Sequence, residues 1–261
     1  MLIQCILSLA LLAILLAADD LFRRFNWFAL LFFFIVPLAM IPVWLGSGIA
    51  IWFKWTKMYS VILAGAFICL MRFTRLGERR WARIVIALVL AGNILEACVQ
   101  DASQGAVWNW LNAVAGLISI LAIRGWKDIR ISASKERDVV WEGLDVPWII
   151  AYTVWNWTFV YFNFPELGLI HVAVLAVPFL ANLRRPGTWG QTRAYSLAAW
   201  MMLQFTFAGF VSRTSYAIPR PEWIAYACGI ASLLANAIAL AVSMRRRKSL
   251  RGPSGLASFS S

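Results

Sequence analysis

Long apolar blocks alternate with short polar connections along the whole chain. Each block is roughly 17 to 23 residues long, which is the length of a helix that crosses the hydrocarbon core of a bilayer. The nine blocks cover residues 1–18, 27–45, 58–74, 84–100, 106–123, 146–164, 167–183, 194–212 and 223–244. Since the connections leave no room for a soluble domain, the pattern predicts one all-α, polytopic transmembrane bundle of about nine spans. This domain is predicted to cover residues 1–248, and the low-complexity residues 249–261 are predicted to form a disordered cytoplasmic tail.

The composition supports a membrane protein and offers little for metal or cofactor chemistry. Hydrophobic residues make up 62% of the chain, whereas a soluble domain is about half apolar. The chain has one histidine and no HExxH or Walker-type motif, so neither a metal site nor a cofactor is predicted. The cysteines stand singly in apolar blocks and are predicted to be small buried residues rather than ligands or disulfide partners. They are Cys5, Cys69, Cys98 and Cys228.

Basic residues are concentrated in alternate connections. Most of the 24 lysines and arginines fall within residues 23–24, 72–83, 124–137, 184–193 and 245–251. Membrane insertion retains Lys and Arg on the cytoplasmic side, so this pattern predicts an outside amino terminus and an inside carboxyl terminus. The net charge of +12 then reflects insertion, and the predicted partner is the lipid bilayer and not nucleic acid. Because no basic residue precedes the first block, that block is predicted to stay as an uncleaved helix.

Polar side chains inside the apolar blocks mark a candidate site. Asn93, Glu96 and Gln100 are spaced so that they share one face of the fourth predicted helix. Neighbouring blocks contribute Asn109, Asn112, Tyr152, Asn156 and His171. In the predicted topology Glu96, Asn112 and His171 lie about 5 to 7 Å outward from the membrane midplane, and Asn156 lies close to the midplane. Polar groups that face lipid are costly, so these faces are predicted to converge on a buried polar centre in the outer half of the bundle.

Each of these residues also has a purely structural explanation. Asparagines in spans often serve as hydrogen-bond partners between helices. His171 would then be an ordinary core histidine, and Glu96 an uncharged, hydrogen-bonded carboxyl group. An ionisable group inside a membrane is nonetheless a functional candidate by default. Asp145, which precedes Pro147, is predicted to cap the sixth helix.

Two connections carry predictions of their own. Residues 46–57 are glycine-rich and then aromatic and basic, and they are predicted to lie at the outer surface of the membrane. Residues 125–145 mix both signs of charge and are predicted to contain a short surface helix. All five lysines are predicted to lie outside the spans, which would exclude a retinal Schiff base. They are Lys54, Lys57, Lys127, Lys135 and Lys248.

Four segments of the chain resemble a known family. They are NILEACVQD (93–101), WNWLNAVAG (108–116), WIIAYTVWNWTFVYF (148–162) and AYSLAAWMM (194–202). They resemble signatures of bacterial polytopic membrane proteins that are catalogued only as a domain of unknown function. The resemblance extends from the second block to the ninth. It implies a multi-pass protein of the bacterial inner (plasma) membrane, and it implies no activity.

Three kinds of function fit this pattern. The first is a transporter or permease for a small polar solute or cation, in which Glu96 binds a proton or cation and amide oxygens assist. The predicted substrate- or ion-binding residues are Glu96, Asn93, Asn109, Asn112, Tyr152, Asn156 and His171. The second is a membrane-embedded enzyme for a lipid or lipid-linked substrate, with Glu96 and His171 as acid and base. The third is a sensor or assembly subunit without chemistry. Substrate, coupling ion and oligomeric state do not follow from the sequence.

Overall fold

The structure, a computed structural model, describes residues 2–249, with side chains described as far as Arg247. Each of the nine predicted apolar blocks contains helix, and the described residues include a single pair of two-residue strands. In chain order the helices are α1 (Leu2–Arg24), α2 (Asn26–Leu30), α3 (Val36–Ala39), α4 (Ile41–Leu45), α5 (Trp52–Phe73), α6 (Arg80–Ser103), α7 (Val107–Ala122), α8 (Val146–Asn163), α9 (Gly168–Arg184), α10 (Trp189–Thr206), α11 (Ala208–Thr214) and α12 (Glu222–Ser249). The all-helical class predicted from the sequence is confirmed. The tail that is predicted to be disordered lies outside the described residues from position 250 onward.

Five of the described helices are long and apolar enough to cross a membrane. They are α1, α5, α6, α12 and the helical stretch Pro165–Arg184 that includes α9. Helices α10 and α11 make a sixth if they are counted as one span that bends by 92°. The stretch Asn26–Ala39 and helix α7 are apolar but shorter. The fold of the described residues is therefore compatible with an integral membrane protein.

The second apolar block is a series of short helical pieces and not one helix. Residues Leu31–Ile35 form a π-helical turn, and Pro37 and Pro42 stand near the starts of α3 and α4. Proline cannot donate a backbone hydrogen bond, and Pro37 follows the change from π- to α-helix while Pro42 follows the break at Met40. The segment packs the ring of Phe33 onto Gly65 of α5, where an added Cβ would lie only 2.3 Å from that ring. The glycine therefore permits the close approach of this segment to α5.

The basic segments meet at one end of the bundle, which we name the basic end. Arg72, wholly buried in the last turn of α5, is its central residue. Its guanidinium donates to the backbone carbonyls of Phe22, Arg23 and Glu136 and to the hydroxyl of Tyr195, at 2.7 to 3.2 Å. One side chain thus ties together α1, α5, α10 and the connection that follows α7.

Ion pairs between connections close the same end. Arg23 donates two hydrogen bonds to Asp138, at 2.9 and 2.7 Å, and Arg185 lies 2.5 Å from Asp19. Burial raises the pKa of Asp138, but hydrogen bonds from Arg23 and Gln191 outweigh that effect and hold the pKa below its usual value. The Asp138 carboxylate is therefore charged at neutral pH and stabilises the contact between α1 and α10.

The prediction of a short surface helix within residues 125–145 is wrong. Strands β1 (Arg130–Ile131) and β2 (Val139–Val140) pair antiparallel, and the helical structure in this segment is limited to the single 3-10 turn Trp126–Asp128. Both valines of β2 are buried, and β-branched residues favour strands. Gly125, with φ of +65°, takes a left-handed conformation that does not continue a helix.

The predicted cap of the helix in the sixth apolar block is confirmed. Asp145 accepts a hydrogen bond from the backbone nitrogen of Trp148 at 3.2 Å, and Pro147 lies in the first turn of α8. The same carboxylate pairs with Arg124 and, at 2.7 Å, with Arg246. Asp145 therefore fixes both the start of α8 and the last turns of α12 at the basic end.

Candidate functional site

Lys57 lies in the second turn of α5 and is only 9% exposed. Its ammonium group lies 2.8 Å from Oε2 of Glu96 and donates to the backbone and side-chain oxygens of Asn93, at 2.8 and 3.0 Å. The prediction that every lysine lies outside the apolar helices is therefore wrong for Lys54 and Lys57. Because α6 supplies these acceptors, α5 includes Lys57 and begins before the apolar block, which starts at residue 58. The exclusion of a Schiff base loses its premise, and of residues 46–57 only 46–51 form a connection.

Glu96 is the acidic partner of Lys57. The same oxygen that meets the lysine accepts a hydrogen bond from Oγ of Ser60 at 3.2 Å, and the carboxylate side chain is 24% exposed. Among the described residues its hydrogen-bond partners do not include Asn112 or Asn156. The structure therefore places Glu96 in an ion pair between α5 and α6, at the edge of the predicted polar centre.

A second carboxylate, Asp101, holds the asparagines of α7. It is wholly buried and accepts hydrogen bonds from the side-chain amides of Asn109 at 2.9 Å, Asn112 at 2.7 Å and Asn163 at 2.6 Å. Ser232 of α12 donates to the Asn112 oxygen at 2.6 Å. Three amide donors satisfy a carboxylate without a cation. The hydrogen bonds of this cluster join α6, α7, α8 and α12, as expected of a structural role.

A buried guanidinium stands among the remaining predicted residues. Arg193 of α10 is 4% exposed, and its Nη2 lies 2.9 Å from Oδ1 of Asn156. Its Nε lies 3.4 Å from the Tyr152 hydroxyl, and the same Asn156 oxygen lies 2.9 Å from Nε2 of His171. The Nη1 atom of Arg193 has no hydrogen-bond partner in the described structure. Arginine stays protonated in proteins, so a positive charge is fixed at this point of the bundle.

These residues line a cavity of about 60 Å³, which we name the central cavity. Three cationic side chains contribute to its described lining and no carboxylate does: Lys54, Lys57 and Arg193. Its other polar residues are Asn93, Tyr152, Asn156, His171 and Gln204. A water molecule needs roughly 10 to 15 Å³ measured in this way, so the cavity has room for a few waters or a small chemical group.

A second cavity adjoins the first on the side of the basic end, and we name it the basic-end cavity. It has a volume of about 60 Å³ and shares Asn93, Tyr152 and Arg193 with the central cavity. From there it extends to Trp141 and Gln191 in the basic-end segments. Most of its remaining lining is aliphatic and comes from α5, α6 and α10. The guanidinium of Arg193 thus lies where the two cavities meet.

A wider space lies at the opposite end of the bundle, and we name it the vestibule. Its volume is about 350 Å³, and it shares Lys54, Leu167 and Gln204 with the central cavity. Glu166 also lines the vestibule, so the lysine has an acidic neighbour there. Vestibule, central cavity and basic-end cavity therefore follow one another through shared residues.

The structure divides the seven residues singled out from the sequence into three groups. Four of them line the central cavity, namely Asn93, Tyr152, Asn156 and His171. Glu96 contacts that lining through Lys57. Asn109 and Asn112 belong to the Asp101 cluster.

Sequence reasoning missed three residues that organise these groups. Asp101 closes the quoted segment NILEACVQD and precedes two asparagines across a short connection, which is a signal that the pattern did contain. Lys57 directly precedes the third apolar block, so the hydropathy pattern places it in the connection before that block. Arg193 closes a basic connection, and nothing in the sequence separates it from the arginines beside it.

The structure also shows where the four cysteines lie and whether metal-ligating side chains come together. Cys69 and Cys98 are buried as predicted and Cys228 is half-buried, whereas the prediction of burial is wrong for Cys5, which is exposed on α1. The described residues contain no group of three His, Cys, Asp or Glu side chains that could hold a metal ion.

No curated protein matches the chain, and no solved structure does. A family model matches residues 1–253, so the match includes the first apolar block as well as the second to ninth. The description of that family states no activity. The chain belongs to the family of unknown function DUF5692.

Proposed function

We propose that the protein is a permease that moves a small polar solute across the bacterial inner membrane. One observation carries the proposal: three spaces follow one another along the bundle and share lining residues. They lead from the vestibule through the central cavity to the basic end. A shared wall at Arg193 and Tyr152 separates two cavities, and a binding site between two such spaces suits alternating access.

The proposed topology has nine spans, with the basic end in the cytoplasm and the vestibule outside. The retention of Lys and Arg on the cytoplasmic side supports this orientation. Single cysteines at Ser103 and Ser134, both exposed, test it in a cysteine-free background. An impermeant thiol reagent applied to whole cells should label Ser103→Cys and leave Ser134→Cys unlabelled. The reverse labelling would overturn the orientation.

The solute is favoured over a bare cation as the transported species. A cation-binding carboxylate would need to be available, but the carboxylate of Glu96 lies 2.8 Å from the Lys57 ammonium. The described lining of the central cavity contributes cationic and neutral polar groups. Glu96 therefore enters the proposal as the partner that keeps Lys57 in place, and Asn93, Tyr152, Asn156 and His171 as solute contacts.

Water access along the path can be measured with introduced thiols. Gln204 lines both the vestibule and the central cavity, Gly190 lines the basic-end cavity, and Leu88 of α6 is exposed on the surface of the bundle. A charged, impermeant methanethiosulfonate reagent should modify Gln204→Cys from outside and Gly190→Cys from inside. Leu88→Cys is the matched control, because a thiol that faces lipid should not react from either side.

The outcome separates a path from a sealed core. Modification of both path positions, with no modification of the Leu88→Cys control, supports the permease. Failure of both path positions to react from either side of inverted and right-side-out vesicles would contradict it. That result would favour a sensor or assembly subunit.

An enzyme for a lipid-linked substrate is the second candidate. The observation in its favour is the aliphatic lining of the basic-end cavity, which would suit an acyl chain. Its proposed acid and base are not brought together, because His171 contacts Asn156 whereas Glu96 contacts Lys57 and Ser60. Phospholipid turnover by the purified protein, absent in His171→Gln, would favour the enzyme over the permease.

A further inference from the structure

We propose that the central cavity binds the oxyanion group, carboxylate or phosphate, of a small solute, with Arg193 as its principal ligand. The inference rests on the proposed permease in one respect, since it names the substrate class of the same site. The binding of an oxyanion can nevertheless be measured without transport. Its failure and the failure of the permease are therefore distinguishable.

The balance of charge around the cavity is the first observation. Lys57 has a carboxylate partner in Glu96, and Lys54 has an acidic neighbour in Glu166. Arg193 makes no ion pair with any described carboxylate, although it is more deeply buried than either lysine. Lys57 and His171 line the same cavity as Arg193 and add no negative charge to it. One positive charge is therefore left uncompensated in the described structure.

The unfilled hydrogen-bonding capacity of Arg193 is the second observation. Buried guanidinium groups normally have every N–H donor satisfied, because an unsatisfied buried donor is costly. Here Nη2 donates to Asn156 and Nε to Tyr152, whereas Nη1 has no hydrogen-bond partner among the described residues. An unpaired, buried cation at the wall of a cavity is the arrangement that an anionic ligand completes.

The geometry of arginine selects the kind of anion. Its planar fork of donors matches two oxygens of a carboxylate or phosphate, which a spherical halide cannot offer. The neighbouring Asn156, His171 and Tyr152 side chains supply further polar groups around the same point. The cavity volume of about 60 Å³ limits the bound group to a small one, and the aliphatic basic-end cavity beside it would hold the apolar part of a larger solute.

A thermal-shift measurement on the purified protein tests the inference. The probes are sodium phosphate, sulfate, acetate and succinate at millimolar concentration, with the ionic strength held constant by sodium chloride. We expect at least one oxyanion to raise the midpoint of unfolding in a saturable way, because a ligand that binds only the folded state stabilises it. Arg193→Gln should abolish the shift. Arg130→Gln, which removes an exposed arginine paired with Glu142, should leave the shift unchanged.

Two results would overturn the inference. One is the absence of any shift beyond the chloride control. The other is a shift that Arg193→Gln retains, which would indicate general salt stabilisation instead of a site. If Arg193→Gln fails to fold, Arg193→Lys replaces it. The lysine keeps the charge but loses the fork, so the apparent affinity should fall on the order of tenfold, and an unchanged affinity would likewise contradict the assignment.

Measured uptake of labelled solutes into proteoliposomes distinguishes failure of the oxyanion site from failure of the proposed permease. Uptake of the labelled oxyanion that binds best, lost in Arg193→Gln, supports both. Saturable, Arg193-dependent binding without uptake overturns the permease and leaves the oxyanion site standing. Uptake of labelled glycerol that exceeds uptake into protein-free liposomes and is equal in wild type and Arg193→Gln, together with no Arg193-dependent oxyanion binding, overturns the oxyanion site and leaves the permease standing.

Discussion

Lys57 and Glu96 depend on each other inside the bundle. Their side chains are 11% and 24% exposed, and 2.8 Å separates the charged atoms. Removal of one partner from such a pair leaves the other as an uncompensated charge, and that costs more than the removal of both. Variants of this pair can therefore show whether charge balance or hydrogen bonding stabilises the packing of α5 on α6.

A double-mutant cycle decides between the two. Lys57→Gln and Glu96→Gln should each lower the free energy of unfolding by about 2 kcal/mol, because each leaves a buried charge unpaired. The double variant should lose clearly less than the sum, and the measurement is denaturation of the purified protein in detergent. The pair Arg130 and Glu142, 54% and 67% exposed, is the control cycle and should show no measurable coupling. Additive losses at Lys57 and Glu96 would contradict the ion-pair account.

Asp101 differs from Glu96, because its carboxylate accepts hydrogen bonds from neutral amide groups and has no cationic partner among the described residues. Asp101→Asn would replace one of the two acceptor oxygens with an NH2 group, so at least one of the three amide donors would lose its acceptor. We expect the free energy of unfolding to fall by about 2 to 4 kcal/mol. Ser103→Ala, in the last turn of the same helix, should change it by less than about 0.5 kcal/mol. Wild-type stability of Asp101→Asn in thermal denaturation would show that the carboxylate is dispensable.

At the scale of elements, the close approach of the second apolar block to α5 depends on a glycine, which has no side chain. A Cβ at Gly65 would lie 2.3 Å from the Phe33 ring, whereas a Cβ at Gly92 of α6 would meet no atom of the described residues within 4 Å. Gly65→Ala should therefore lower the free energy of unfolding by about 1 to 3 kcal/mol through overpacking. Gly92→Ala, a matched change inside another helix, should be neutral or stabilising by up to about 1 kcal/mol. Equal effects in a denaturation assay would refute the close approach.

The existence of the helices was predictable, and their ends were predictable only where local chemistry decides them. Asp145 before Pro147 marks the start of α8 within the chain itself. The start of α5 depends instead on Glu96, which lies far along the sequence and forms an ion pair with Lys57. The hairpin within residues 125–145 likewise depends on the burial of Val139 and Val140 beneath neighbouring elements.

For the whole molecule, polar residues in the spans were identifiable but their partners were not. Similar depth in the membrane does not determine which faces meet, so Asn112 faces Asp101 and Asn156 faces Arg193. Helix rotation and tilt are set by packing that a single sequence does not reveal. The central cavity therefore emerges from the assembled bundle, with an arginine that the charge pattern had placed in a connection.

Closure of the basic end should depend on pH through Asp138. The pKa of this carboxyl group is lowered in the folded protein, so its contribution to stability is fully present above the unfolded value of about 3.9 and is lost as the pH falls through the folded value. The midpoint of thermal unfolding should therefore drop below about pH 4. Asp138→Asn should be less stable at neutral pH and show a smaller acid-induced drop. An equal drop in both proteins would assign the acid sensitivity to other groups.

The buried Arg72 has a consequence for the time course of biosynthesis. Two of its acceptors, the carbonyls of Phe22 and Arg23, precede it in the chain, but the Tyr195 hydroxyl follows it by 123 residues. At ordinary rates of translation the ribosome needs roughly 6 to 25 seconds to add a stretch of that length. Throughout that interval the nascent chain carries an arginine whose native surroundings are incomplete, so other polar groups must solvate it. Completion of this end is therefore a late event, set by the synthesis of the eighth apolar block rather than of the third.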